Sequence, residues 1–440
     1  MCRNPLLPPY LCATLALLLL LTACGQAPPA SPPTPSPEAE QPSSSMSDTL
    51  DEPVASLSDV PEEDLDPRIA EAQVTFAIDL FHQIRQDGSD RNLLLSPVSI
   101  ATALAMTANG AEGETRESML RTLHLHELDD TDRNKGYQTL LDQLKSSNES
   151  TRLMIANALF ADESVPFKPS FIGTNREYFG AEIAQLDLAA PDTADKINGW
   201  VSRQTEGQIE EIIQGPLDPL DVMVLLNAVY FKANWAYPFE ENLTSKRPFT
   251  SASGKTAEAD MMLTEDKFAY LQGEDFQAIR LPYQDHAYSM LVFLPDESVA
   301  LDDWLAQLTP ERWSEWLAGF QDAMGALRLP RFEIEDEIML NDPLKALGMV
   351  DPFDPVKASF GELTELEADK IYLHEAKHKS TIEVSETGTV AAAVTSIVLR
   401  DQSGTSATFD MEVNRPFFFA IHDDSTSSIL FMGAVRQLEG

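Results

Sequence analysis

Between residues 69 and 84 the apolar side chains fall at helical spacing: Ile69, Ala72, Phe76, Ala77, Leu80, Phe81 and Ile84. This is the stripe of a helix packed against a core. Asp66-Pro67 stands just before it, an N-cap followed by a proline at the first helical position, and Asp87-Gly88 marks the stop. Ser96-Pro97 opens a second helix in the same way, running to Asn109-Gly110. Residues 222–231 are then almost continuously apolar, with Asn227 as the one strongly polar member. That pattern predicts a strand buried on both faces. Residues 288–294, 327–334, 381–384, 417–421 and 429–435 also read as strands. Helical patterns fill the first third and strands the last, which predicts an α+β fold.

One segment fits neither pattern. From Thr387 to Leu399 the chain is Thr-Gly-Thr-Val-Ala-Ala-Ala-Val-Thr-Ser-Ile-Val-Leu, with no charge and no proline until Arg400. A surface loop ordinarily carries Asp, Asn, Pro or more Gly. Small, uncharged, β-compatible residues instead suit a segment that slides between two strands, because no charge is then buried. A loop built to become a strand implies two states of one protein.

The N-terminus belongs to no domain. Arg3 precedes an apolar run from Leu11 to Leu21 that is too short for a transmembrane helix, the layout of a processing signal. Leu21-Thr22-Ala23-Cys24 resembles the lipobox of bacterial lipoproteins, which implies a signal over residues 1–23 and a lipid on Cys24. Residues 24–66 are rich in Pro, Ser, Glu and Asp, and such a stretch cannot bury enough surface to order itself. It reads as a tether. Residues 67–440 remain as a single domain. Cys2 and Cys12 leave with the signal, so the mature chain holds no disulfide. The expected location is the cell envelope, with membrane contact only through the Cys24 lipid.

The chain carries 71 acidic and 31 basic residues, a formal net charge of −40. Nucleic acid and anionic membrane surfaces are excluded as electrostatic partners. Solubility or adaptation to salt accounts for the excess.

Eight motifs occur along the domain: Asn92-Leu93-Leu94-Leu95-Ser96-Pro97-Val98-Ser99-Ile100; Ile155-Ala156-Asn157-Ala158-Leu159-Phe160; Tyr178-Phe179-Gly180-Ala181-Glu182; Ile197-Asn198-Gly199-Trp200-Val201; Leu226-Asn227-Ala228-Val229-Tyr230-Phe231-Lys232-Ala233-Asn234-Trp235; Leu281-Pro282-Tyr283; Val413-Asn414-Arg415-Pro416-Phe417-Phe418-Phe419; and Ile429-Leu430-Phe431-Met432-Gly433. By these residues and their order the domain resembles the serpins. The resemblance implies three β-sheets, about nine helices and an exposed reactive loop. It implies an inhibitor and not an enzyme, acting as a monomer without a cofactor. The partner is a serine protease, or a cysteine protease, held in a 1:1 covalent complex after loop cleavage and insertion into the central sheet.

The resemblance also assigns residues. Glu386, Gly388, Thr389, Ala391, Ala392 and Ala393 match the hinge of inhibitory members. With Thr389 as the first inward residue, Ala391, Ala393, Thr395, Ile397 and Leu399 follow it inward on alternate positions. The family's usual loop length puts the scissile bond at Gln402-Ser403. The span from Glu386 to Asn414 is a few residues longer than usual, and counting from its C-terminal side gives Thr405-Ser406. Arg400-Asp401 and Leu399 are further candidates. Ser96, Ser99, Asn227 and His378 match the polar cluster beneath the sheet where strands part, and Trp235 matches the aromatic residue where insertion begins.

Two rivals come from other classes. His374-Glu375-Ala376-Lys377-His378 satisfies the zinc-protease pattern H-E-x-x-H, which needs both histidines on one helical face. Its surroundings read as strand, where residues four apart lie about 13 Å apart. No metal is therefore expected. The other rival is a non-inhibitory scaffold of the same fold, against which the small-residue hinge argues.

Overall fold

The structure is a computed structural model that describes residues 64–87, 90–144, 151–217, 223–365, 371–389 and 408–438. The reactive-bond candidates from Leu399 to Ser406 and the hinge residues Ala391, Ala392 and Ala393 lie outside the described residues, as does Cys24. Among the described residues, no helix is long and apolar enough to cross a membrane.

Nine α-helices occur in the described residues: α1 (Pro67–Ile84), α2 (Pro97–Ala108), α3 (Gly113–Thr122), α4 (Asp130–Leu144), α5 (Pro169–Phe179), α6 (Thr193–Gln204), α7 (Leu301–Leu305), α8 (Pro310–Gly319) and α9 (Asn341–Ala346). The strands are β1 (Leu93–Leu95), β2 (Thr151–Asp162), β3 (Glu182–Leu186), β4 (Met223–Asn234), β5 (Ser245–Thr250), β6 (Thr256–Gln272), β7 (Phe276–Pro282), β8 (Tyr288–Pro295), β9 (Gln321–Pro330), β10 (Phe332–Met339), β11 (Lys377–Ser385), β12 (Gly388–Thr389), β13 (Phe409–Glu412), β14 (Phe417–Asp423) and β15 (Ile429–Val435).

The first helix forms for the reasons its sequence gives. The Asp66 carboxylate accepts from the Arg68 backbone N–H at 2.9 Å, which satisfies one of the orphan donors at the helix start. All seven residues of the expected stripe are buried. Helix α2 is different, because every one of its twelve residues is buried. Ser96 occupies its N-cap position but makes no capping bond through its side chain, contrary to the sequence expectation.

The α+β assignment holds. The strands form two ladders, a nine-stranded sheet in the order β1-β15-β14-β8-β7-β6-β9-β13 with β5 on β6, and a six-stranded sheet in the order β10-β11-β12-β4-β2-β3. Two of the three expected sheets are joined into one ladder by the long strand β6, which pairs with β5 at its start, β9 along its length and β7 at its end.

The single strand expected over residues 327–334 is a correction. The chain breaks at Arg331 into β9 and β10, which belong to different sheets. Pro330 lacks an N–H, and the Arg331 N–H turns to the Asp260 carbonyl at 2.8 Å. The main core packs the two sheets and the helices together. A second apolar cluster, built on Ile197, Trp200, Val201, Phe160, Leu226 and Ala228, seats α6 on the six-stranded sheet.

Candidate functional site

The segment after β11 folds back on itself at Glu386-Thr387 and re-enters the six-stranded sheet as β12. Gly388 pairs with Asn234 of β4 and Ser385 of β11, and Thr389 with Ala233 and Val384. Two of the residues expected at the hinge are therefore laddered between β4 and β11. Gly388 has φ +152°, and a Cβ there would stand 2.0 Å from the Ala233 carbonyl oxygen. Only glycine fits. Thr389 is wholly buried, and its hydroxyl hydrogen-bonds the Tyr283 hydroxyl at 2.7 Å.

The fold-back turn is held from several sides. The Trp235 indole N–H donates to the Ser385 carbonyl at 2.9 Å, and the Trp235 and Phe239 backbone N–H groups donate to the carbonyls of Thr387 and Glu386, also at 2.9 Å. Trp235 stacks on Tyr283 with ring centroids 4.6 Å apart. The buried Glu386 carboxylate accepts from Arg331 Nε at 2.7 Å and Nη2 at 2.6 Å, and from the Thr244 hydroxyl. Burial pushes this carboxyl up. The Arg331 and Thr244 hydrogen bonds outweigh burial and hold it below the usual carboxylate range.

Lower in the same sheet sits the polar cluster. The Ser99 hydroxyl donates to Asn227 Oδ1, and Asn227 Nδ2 donates to Asn157 Oδ1 at 2.6 Å. Across the opening, His378 Nε2 accepts the Ser96 backbone N–H at 3.0 Å, and Ser380 donates to the Leu94 carbonyl at 2.9 Å. Ser96 thus contributes its backbone, while its buried hydroxyl oxygen has no partner among the described residues. Burial lowers the His378 pKa to about 4. His374 precedes β11 and His378 lies on it, with its Nε2 lone pair directed at the Ser96 N–H.

The residues matched from sequence fall into two groups. Trp235, Glu386, Gly388 and Thr389 meet at the top of the sheet, while Ser96, Ser99, Asn227 and His378 line its middle. Asn157 and Tyr283 join them, each standing inside a quoted motif as a polar member of an apolar run. Arg331 and Thr244 carried no local signal, because strands distant in sequence bring them to Glu386.

Between β11 and β4 the ladder of this sheet runs, among the described residues, only through the two-residue strand β12. A family profile described as Serpin (serine protease inhibitor) matches residues 71–438. The leukocyte elastase inhibitor of Xenopus laevis is 33% identical over 380 residues, covering 83% of this chain and 98% of that protein. Human antithrombin-III is 32% identical over 376 residues, covering 83% and 81%. The native crystal structure of the thermophilic serpin tengpin superposes with a TM-score of 0.78 at 32% identity, covering 86% of this chain and 96% of that one. The chain belongs to the serpin family of serine protease inhibitors.

Proposed function

We propose that this chain inhibits a serine protease as a suicide substrate. The protease serine attacks the carbonyl of the loop residue at the scissile bond, and the C-terminal segment leaves as the amine. An ester then joins the protease to the loop. Before water cleaves that ester, the freed strand enters the sheet, and the distorted protease remains attached in a 1:1 covalent complex. The observation that carries this reading is the seating of Gly388 and Thr389 between β4 and β11.

Continuing that register one residue at a time brings Thr395 opposite both Asn227 and His378, and Leu399 opposite Met223, the first residue of β4. Thr395 is the only polar side chain on the inward alternation after Thr389, and it meets Asn227 on one wall and His378 on the other. The hydrogen bonds of the polar cluster can then be exchanged for bonds to Thr395 without stranding a buried group. Insertion as far as Leu399 uses the whole of β4. A scissile bond beyond that point, at Arg400-Asp401, Gln402-Ser403 or Thr405-Ser406, keeps the protease clear of the sheet. The Gln402-Ser403 bond is the proposed site.

The test mixes residues 67–440 with elastase-, chymotrypsin-, trypsin- and subtilisin-like proteases. A complex surviving denaturing electrophoresis is expected. The first residue of the released peptide, by mass spectrometry, identifies the bond. Cleavage by every protease with no complex refutes the suicide reading.

The same proposal covers the N-terminus. Residues 1–23 are a signal, Cys24 carries lipid, and residues 24–66 tether the inhibitor to the envelope of a bacterial cell. Metabolic labelling with a radioactive fatty acid should mark the wild-type chain and fail to mark Cys24→Ala, which is released in soluble form. Equal labelling of both overturns the anchor.

A further inference from the structure

The chain holds two Asn-x-Ser/Thr sequences, Asn148-Glu149-Ser150 and Asn242-Leu243-Thr244. Such a triplet is the acceptor for an asparagine-linked oligosaccharide, and a usable one lies on the surface. Asn148 lies outside the described residues.

Asn242 is exposed at the centre of a single 3₁₀ turn, Glu241–Leu243, between β4 and β5. The Leu243 N–H donates to the Glu240 carbonyl at 2.9 Å, and the Thr244 N–H to the Glu241 carbonyl at 3.2 Å. The turn thus holds its own shape without its asparagine side chain. Among the described residues nothing hydrogen-bonds the Asn242 carboxamide. Its Nδ2 is free to react. Glu240, two residues before it, is exposed as well. Transferases of bacterial envelopes take an acidic residue at that place as part of the acceptor. Asn148 has Ser146 there instead.

Thr244 ties this triplet to the hinge. Its hydroxyl donates to the buried Glu386 carboxylate, which also accepts from Arg331. A hydroxyl has one proton to give, and a transferase that reads the triplet must bond the same group. In the folded protein that group is engaged. Transfer to Asn242 therefore precedes the seating of Glu386. The neighbouring Glu241 lines one groove with Ser385, Glu386 and Thr387, so the turn stands beside the fold-back of the hinge.

We propose that Asn242 carries an asparagine-linked oligosaccharide, added before the hinge seats, from a polyprenyl-pyrophosphate donor. The bond from Nδ2 to the anomeric carbon forms as the bond from that carbon to the pyrophosphate oxygen breaks. The polyprenyl pyrophosphate leaves, and one Nδ2 proton passes to a base of the transferase. The sugar then stands at the rim of the groove that Glu386 and Thr387 line. This rests on the export reading of the N-terminus, because transfer takes place outside the cytoplasm.

The experiment isolates the full chain from the cells that make it and reads its peptides by mass spectrometry. Wild type should carry sugar on the peptide that holds Asn242 and none on the peptide that holds Asn148. Asn242→Gln and Thr244→Val should carry none, while Thr244→Ser should keep it. Should Thr244→Val fail to accumulate, Asn242→Gln decides. The order of events is tested on full chain folded in cells without a transferase, set beside the peptide 237–246. Both are given a bacterial oligosaccharyltransferase and its lipid-linked oligosaccharide. The peptide should be the better acceptor by about tenfold, the equivalent of the Thr244 bond that the folded protein must first release.

A chain that has lost residues 1–23 yet carries no sugar on Asn242 overturns the site. So does sugar on Asn148 alone. Equal rates on peptide and folded protein overturn the order of events. A chain that keeps residues 1–23 refutes the export reading itself, and the site falls with it.

Discussion

His378 offers a test with a worked magnitude. It is 1% exposed, its Nε2 accepts the Ser96 N–H, and burial lowers its pKa from 6.5 to about 4. Protonation replaces an acceptor by a donor facing a donor, and buries a charge. The folded protein therefore binds this proton less readily than the unfolded chain. The stability due to the neutral ring is complete above about pH 6.5, falls as the pH drops toward 4, and is constant below that. A depression of this size corresponds to about 3 kcal/mol in total, of which about 1.4 kcal/mol is gone at pH 5.5. The 71 acidic residues titrate too, so the raw pH profile does not isolate His378. The informative quantity is the difference between wild type and His378→Gln, whose amide oxygen still accepts from Ser96. Urea unfolding of the native state at pH 7.5 and 5.5 should show wild type losing about 1.4 kcal/mol more than the variant. Parallel losses refute the reasoning, as does an NMR titration of His378 with a midpoint near 6.5.

Other expectations concern the hinge. Thr389→Arg puts a long cation where a buried hydroxyl meets Tyr283 between Ala233 and Val384. It should convert inhibitor into substrate, with cleaved chain replacing complex on a denaturing gel; normal complex yield overturns the hinge assignment. Glu386→Lys removes the acceptor of Arg331 and Thr244 and sets two cations together. It should cost about 2 kcal/mol, seen as a lower urea midpoint, and an unchanged midpoint contradicts the role given to the turn. Cleavage within the loop should raise the melting temperature markedly, because β4 and β11 then gain a full strand between them. An unchanged melting temperature after cleavage would mean that the sheet stores no strain.

Several of the helices and strands are legible in the spacing of apolar residues along the chain. The stripe from Ile69 to Ile84 and the apolar run around Asn227 are periodic signals, and periodicity is a local property of the chain. The uncharged run after Glu386 is legible for the same reason, since composition too is a local property of the chain. Asn157 and Tyr283 were visible as motif members without a role. Tertiary structure decided what their side chains meet. Arg331 could not be read, because its strand break and its partner Glu386 follow from β9 and β10 joining different sheets. Nor could the seating of Gly388 and Thr389, which depends on how far β4 and β11 stand apart at one end of a sheet. Hydrogen bonds such as Tyr283 to Thr389 join residues far apart in the chain, and only packing fixes which distant groups come within 3 Å.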